Sequence, residues 1–534
     1  MRLNEETLKK TSLWEAAGFD LPQFDRDQVR KNTAKNPGWI HFGAGNIFRA
    51  LIAHAQQTML NKGADDKGII VVGGEVIDKL YQPRDNLTAL VTIKADGSIN
   101  KTVIGSIVES LNMDDQQDEI WDRLKTIFTS ESLQMVSFTI TEKGYSLQDA
   151  KGEYLASVAE DFKKGPKNPE SYMGKVASLM YERYQKGQQP VALVSMDNCS
   201  HNGTKLYNAI SAFAAQWVKS GLVDAGFETY IGNPSLVAFP WTMIDKITPR
   251  PDPKIKEMLK KDGFEDLEDI VTSRNSFASS FVNAEEPEYL IIEDAFPNGR
   301  PKLEEAGVIF TQKETVDKVE KMKVCTCLNP LHTALAIFGC LLGHTLISQE
   351  MKDPELKRLV ERIGYEEGLP VVVDPVIVNP KNFIDEVLQV RFPNPFMPDT
   401  PQRIATDTSQ KLSIRFGETI KAYASRSDLD VTGLQMIPLV LAGWCRYLMG
   451  VDDEGNAMEL SPDPLLEEVT AHVASVHIGD QGDFHEQLQP ILSNKAVFGV
   501  NLYEVGLGSK VEEYFAELVA HRGAVRATLT KYVS

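Results

Sequence analysis

Two patterns of apolar and polar positions divide the chain. Up to about residue 300, short apolar runs recur at 39–42, 68–73, 89–93, 135–140, 190–195 and 289–296. Runs this short, rich in Val, Ile and Leu and bounded by Gly or polar residues, predict buried strands. Segments with helical spacing lie between them, among them 119–128. Strand alternating with helix predicts an α/β domain built on a parallel, Rossmann-like sheet. From Lys302 onward the spacing becomes helical, with candidates at 314–345, 353–368, 382–390, 410–425, 433–449, 463–474, 483–492 and 510–531. This half predicts a mostly α-helical domain. The turn-rich stretch Pro297-Asn298-Gly299-Arg300-Pro301 places the boundary near residue 300, giving domains 1–300 and 301–534.

The first strand runs Trp39-Ile40-His41-Phe42 and meets Gly43-Ala44-Gly45 before a helix. A tight glycine turn between strand and helix exposes backbone N–H groups and the positive end of the helix dipole, a site for a dinucleotide's pyrophosphate. Gly43 permits the turn and Gly45 lets the phosphate approach. Asn46, Phe48 and Arg49 complete the expected cofactor loop, with Phe48 standing where the third glycine of the motif would be. Glu75 follows the second strand, where a carboxylate would bind the adenosine ribose and repel a 2′-phosphate. The expected cofactor is therefore NAD rather than NADP, with Asp78 as the alternative acid.

Composition narrows the remaining classes. A chain of 534 residues is too long for one core, and a net charge of -19 argues against non-specific nucleic-acid binding. Local basic pockets for an anionic substrate remain compatible with that charge. The five cysteines have neither disulfide-framework nor zinc spacing and are expected to be buried thiols of a reducing compartment, hence cytoplasmic. The polar start MRLNEETLKK lacks a signal-peptide core, and no run predicts a membrane span.

Candidate chemistry concentrates at the start of the helical half. Lys323, Asn329 and His332 lie within ten residues, ahead of a long apolar helix. Oxidising a secondary alcohol needs a base for the hydroxyl proton and donors that hold the developing alkoxide. Lys323 could be that base if burial or positive neighbours lower its pKa, Asn329 could donate an amide N–H, and His332 could hold the hydroxyl. Other dehydrogenase chemistries lack their residues: none of the 15 tyrosines has Lys four positions later, and no Cys/His set has zinc-ligand spacing.

These segments together resemble the long-chain polyol dehydrogenase family, which includes mannitol dehydrogenases and fructuronate and tagaturonate reductases. Thr139-Ile140-Thr141-Glu142-Lys143-Gly144-Tyr145 is similar to the family's T-x-T-E-x-G-Y beside the nicotinamide, and implies Thr141 and Glu142 as cofactor contacts. Asp197-Asn198 with Asn202-Gly203 matches D-N-x-x-x-N-G, which implies Asn198 as an amide donor to the reacting oxygen and Asn202 as its neighbour. Ile244-Asp245-Lys246-Ile247-Thr248-Pro249 resembles V-D-R-I-x-P with Lys for Arg, and implies Asp245 as a pocket carboxylate. Arg391-Phe392-Pro393-Asn394-Pro395 and Asp407-Thr408-Ser409-Gln410-Lys411 resemble R-F-x-N-P and D-x-S-x-K. They imply Arg391 and Lys411 as substrate cations, with Lys381 a further candidate. Glu320 would be a gating carboxylate. The implied reaction is metal-independent hydride transfer between NAD and a ketouronate or its alcohol. Alternatives are a mannitol 2-dehydrogenase-like polyol enzyme or a non-catalytic NAD sensor, as a monomer or homodimer.

One departure from the family pattern is physical. Lys323 and Asn329 are separated by five residues where the family has four. On an unbroken helix, at about 100° per residue, Lys323 and His332 would face opposite ways. A π-bulge would absorb the extra residue and is favoured here; a helix restarted at Asn329 with Pro330 in its first turn is the other solution.

Overall fold

The computed structural model describes residues 1–114, 118–149, 151–273 and 277–533. The chain forms two units, Met1–Lys94 with Ser98–Asp317, and Lys318–Ser534 with Ala95–Gly97. The boundary falls later than the expected residue 300. The strand Ile309–Thr311 still belongs to the first unit, where it pairs in parallel with Tyr289–Glu293.

The core of the first unit is a six-stranded, wholly parallel sheet. Across it the order is Ile107–Asn112, Ile69–Gly73, Trp39–Phe42, Met135–Phe138, Val191–Ser195 and Val237–Ala238. Numbered along the chain this is the 3-2-1-4-5-6 order of a doubly wound dinucleotide fold. Alternation of side chains explains why the strands are apolar throughout. Ile40, Phe42, Val136, Phe138 and Leu193 face one buried cluster, while Trp39, Val71, Met135 and Val194 face the other. The expected strand at 89–93 forms as Thr88–Ile93, but in a separate four-stranded sheet between Ile99–Ile104 and Phe281–Glu285.

The second unit is helical. Its central helix Asn329–Leu341 and the helix Met436–Tyr447 are buried on nearly every side, which explains their continuous apolar sequence. Glu367 accepts backbone N–H bonds from Gln435, Met436 and Ile437 at 2.6–2.8 Å, a carboxylate cap on the positive end of the 436–447 helix. The expected helix 510–531 is two helices, Gly508–Val519 and Ala524–Val533. Gly523 turns the chain at φ +79°, and Asp453 caps the second by accepting from Val525 and Arg526.

Three cysteines, Cys327, Cys340 and Cys445, are buried, whereas Cys199 and Cys325 are partly exposed, contrary to expectation; all five are free thiols. The helical run Lys313–Leu341 is long and apolar enough to cross a membrane by length and composition, yet 72% of its apolar window is buried within the protein. It reads as a core helix.

Candidate active site

In the first unit a cleft of about 1580 Å³ opens at the carboxyl ends of the parallel strands. Gly43 and Gly45 perform different tasks there. Gly43 adopts φ +116°, and a Cβ on it would collide with the Thr139 carbonyl. Gly45 borders the cleft, and a Cβ on it would meet nothing within 4 Å. That bare backbone is the space a pyrophosphate needs. Asn46 also lines the cleft, accepting from Arg49 at 2.8 Å and donating to the Pro249 carbonyl at 3.3 Å. Arg49 also lines the cleft; its buried guanidinium is engaged with Asn46, Thr88 and the Ser279 carbonyl and so braces the loop.

Phe48, expected in the cofactor loop, does not line the cleft. It is wholly buried and stacks on His41 with ring centroids 4.2 Å apart. A third glycine would let helix and strand close together; here an aromatic pair fills the gap and the helix begins as a π turn, Phe48–Ile52. His41 in turn lies between the Ser137 and Thr139 hydroxyls at 2.7 and 2.8 Å, and burial lowers its pKa to about 3.

Glu75 lines the cleft at the end of the second strand, as expected. It pairs with Lys79 and accepts the Ser273 N–H at 2.7 Å, and these contacts hold its pKa at about 2. Asp78 borders the same cleft but accepts from Asn112 at 2.6 Å. Thr141 lines the cleft too, in an unusual conformation for a β-branched residue, φ +65°. Glu142 does not: it is exposed and pairs with Lys205 at 2.7 Å.

What holds Thr141 is Asp197, which the family pattern left without a role. Its carboxylate accepts the Ile140 and Thr141 N–H groups at 2.9 Å and the Tyr145 hydroxyl. Burial raises its pKa against those donors. Asn202, expected beside the substrate, ties strand ends together. It is 1% exposed, and its amide donates to Asp197 and Thr242 and accepts from Thr242 and Gly203. Asn198 is exposed at the same strand end, and Asp245 is buried at the end of the strand Thr242–Asp245.

In the second unit the extra residue is absorbed as expected and with a further break. Lys323–Cys327 is a π turn, closed by the Leu328 N–H to the Lys323 carbonyl at 3.1 Å. Leu328 leaves helical geometry at φ -131°, and a new helix starts at Asn329 with Pro330 in its first turn. The helix is therefore not continuous from Lys323 to His332, and the phase of an unbroken helix no longer fixes their relative direction. Lys323 is 3% exposed. Asn329 is partly exposed, and its side-chain amide has no partner among the described residues.

His332 is set by two residues. Its Nε2 lies 2.7 Å from Asp399 Oδ2, close though poorly aligned for a hydrogen bond, and its ring stacks on Phe392 at 4.9 Å. Burial raises the Asp399 carboxyl, but His332 and Arg403 outweigh it and hold the pKa below the usual range. The Arg-Phe-x-Asn segment thus supplies Phe392 beneath the imidazole and turns at the buried Asn394, whose side chain accepts the Phe396 N–H, before reaching Asp399. Arg391 is buried in the π turn Val387–Arg391. Lys411 donates to the Thr406 carbonyl, and burial and then Arg415 lower its pKa. Lys381 is 64% exposed and forms a surface ion pair with Asp385 at 2.8 Å.

Two residues escaped the sequence reading. Asp399 has no motif of its own. Arg415 follows Lys411 by one helical turn, a spacing the sequence does display. Among the described residues no three His, Cys, Asp or Glu converge as metal ligands.

Comparison with known proteins agrees in both units. Residues 37–305 match the mannitol dehydrogenase Rossmann domain, and residues 315–518 match the mannitol dehydrogenase C-terminal domain. The chain is 55% identical over 538 residues to a D-mannonate oxidoreductase of Thermotoga maritima, covering 100% of this chain and 99% of that protein. It is 28% identical to a mannitol 2-dehydrogenase of Neosartorya fischeri, covering 100% and 99%. Among solved structures, the Pseudomonas fluorescens mannitol 2-dehydrogenase ternary complex with NAD and D-mannitol aligns over 99% of both chains, with TM-score 0.72 and 26% identity.

Proposed function

Since the chain belongs to the mannitol dehydrogenase family and is an NAD-dependent oxidoreductase of sugar acids or polyols, we propose that its substrate pair is D-mannonate and fructuronate. These differ by one hydride and one proton, as alcohol and ketone. The identity to a D-mannonate oxidoreductase over the full chain favours this pair over tagaturonate, whose reduction gives a different aldonate.

Gly43, Gly45, Asn46, Glu75 and Thr141 would hold NAD, which supplies the hydride acceptor when bound. Gly45 leaves the phosphate approach open, and Glu75 offers carboxylate oxygen to the ribose. Lys323 takes the hydroxyl proton as the alcohol is oxidised and returns it as the ketone is reduced. Asn329 donates its amide N–H to the oxygen as charge develops there; the family pattern gives Asn198, in the first unit, an amide-donor role as well. His332 orients the same hydroxyl. Arg391 and Lys411 contact the rest of the sugar chain, and the family pattern makes Asp245, in the first unit, a pocket carboxylate.

The observation that carries this reading is the break at Leu328. It gives the long Lys–Asn spacing a backbone solution and leaves Asn329 with an unengaged amide. The rival is a neutral-polyol enzyme, favoured by the match to a mannitol complex. Turnover of fructuronate, tagaturonate, fructose and fructose phosphates with NADH and NADPH separates them. Fructuronate with NADH is expected to give the highest kcat/KM. Preference for fructose would assign the polyol reading, and no nicotinamide oxidation with any of them would refute both.

A further inference from the structure

We propose that Arg415 binds the substrate's carboxylate and is the residue that selects a sugar acid over a neutral polyol, an inference that rests on the sugar-acid reading above. Its surroundings differ from those of the buried Arg183, Arg446 and Arg26. Arg183 donates to five backbone carbonyls, and Arg446 to three. Arg26 reaches three carbonyls and the Glu5 carboxylate. Arg415 has a single partner among the described residues, the Thr333 hydroxyl, and no carboxylate. A guanidinium carries five N–H donors, so most of this one is unused.

Burial lowers the Arg415 pKa to about 10, yet the side chain is not sealed: its residue remains partly exposed. A charge taken out of water without a counter-charge is costly, and a ligand anion would relieve that cost. The location fits a substrate. The Thr333 hydroxyl that receives Arg415 donates to the Asn329 carbonyl at 2.9 Å, so the guanidinium is tied to the helical turn that bears Asn329 and His332. Lys411 lies one turn before Arg415, and its positive charge is felt there. Like charges four residues apart on a helix repel; an anion between them turns that repulsion into attraction. Arg415 also belongs to a π turn, Ser413–Gly417, as Lys323 and Arg391 belong to theirs. Such turns recur at functional sites.

A planar fork of donors matches a carboxylate in two parallel bonds, while a sugar hydroxyl can accept one neutral bond and leaves the cation uncompensated. Phosphate presents similar oxygens, so the experiment must separate the two anions.

Arg415→Met and Arg415→Lys are compared with wild type in steady-state oxidation of D-mannonate and D-mannitol with NAD and reduction of fructose 6-phosphate with NADH. Thermal unfolding and NADH titration are run in parallel. For Arg415→Met, KM for D-mannonate should rise on the order of a hundredfold, with kcat changed much less, and the mannonate-to-mannitol preference should fall in step. Arg415→Lys, which keeps the charge and loses the fork, should lie between and serves if the Met variant does not fold. An unchanged KM for D-mannonate in a folded variant overturns the assignment while leaving the sugar-acid reading intact. Equal losses on D-mannonate and D-mannitol also overturn it, as does a loss confined to fructose 6-phosphate. Wild type inactive on D-mannonate but active on D-mannitol refutes the sugar-acid reading and the carboxylate role with it.

Discussion

The nucleotide unit draws its cleft with backbone, and the helical unit arranges its candidate chemistry with side chains. In the first, the decisive positions are a glycine at φ +116°, a second glycine with open space beside it, and a threonine held at φ +65° by Asp197. In the second, Lys323, Arg391 and Arg415 each ride on a π turn, and His332 is fixed by Asp399 and Phe392. A dinucleotide's phosphates are read well by N–H groups at a strand–helix turn. A proton transfer needs particular functional groups in particular places, and a π turn is one way to place a helical side chain off its regular phase. Mutations should therefore fail differently in the two units: through fold and cofactor affinity in the first, through turnover in the second.

The largest expected effect is in the first unit. Gly43→Ala introduces a Cβ against the Thr139 carbonyl at a backbone angle alanine avoids, and should destabilise the unit by roughly 3 kcal/mol or more. Gly45→Ala has room and should unfold at the wild-type temperature while binding NADH about tenfold more weakly. Equal stability losses in the two variants would break the distinction drawn between these glycines. In the second unit, Asp399→Asn keeps the shape and removes the charge beside His332. Its kcat should fall about ten- to a hundredfold with little change in unfolding temperature. In a His332→Ala background the same change should have no further effect; additive losses would show that Asp399 does not act through the imidazole.

Acid and base should also distinguish the units. His41 is buried and its pKa is lowered from the ordinary imidazole value of 6.5 to about 3, so the unfolded chain binds a proton that the folded one refuses. That contribution is fully present above the unfolded value and is lost as pH falls through the window down to the folded one, at up to about 1.4 kcal/mol per pH unit. His41→Gln should flatten acid unfolding of the first unit between those limits, as followed by circular dichroism. Glu350 in the second unit behaves oppositely. It is wholly buried against Gly339, neither oxygen has a hydrogen-bond partner among the described residues, and burial raises its pKa well above the usual range. The penalty grows as pH rises above the unfolded carboxylate value. Glu350→Gln should stabilise the unit by about 1 kcal/mol, a few degrees in calorimetry at most. The gain should be larger at alkaline than at acid pH.

Much of the fold could be read along the chain because buried parallel strands leave apolar runs and glycine turns that need no partner to be recognised. The Thr88–Ile93 strand carries the same pattern in a different sheet, since alternation reports burial and not which neighbour a strand joins. Site residues were less legible. Phe48, Glu142 and Asn202 occupy motif positions, yet one fills the core, one faces solvent and one ties strand ends together. Residue type is the same whichever way the side chain turns. Lys381 likewise carries the right charge on a surface helix. The Lys323–Asn329 spacing, by contrast, exposed a real geometric problem, because helix periodicity is a local property. Asp399 lies far from His332 in sequence, so only tertiary structure pairs them.

Lys323→Ala with paired measurements of turnover and NADH binding tests most directly whether Lys323 is the acid–base group. Turnover of D-mannonate should fall by about a thousandfold while NADH binds with wild-type affinity. Turnover within severalfold of wild type would contradict the assigned base.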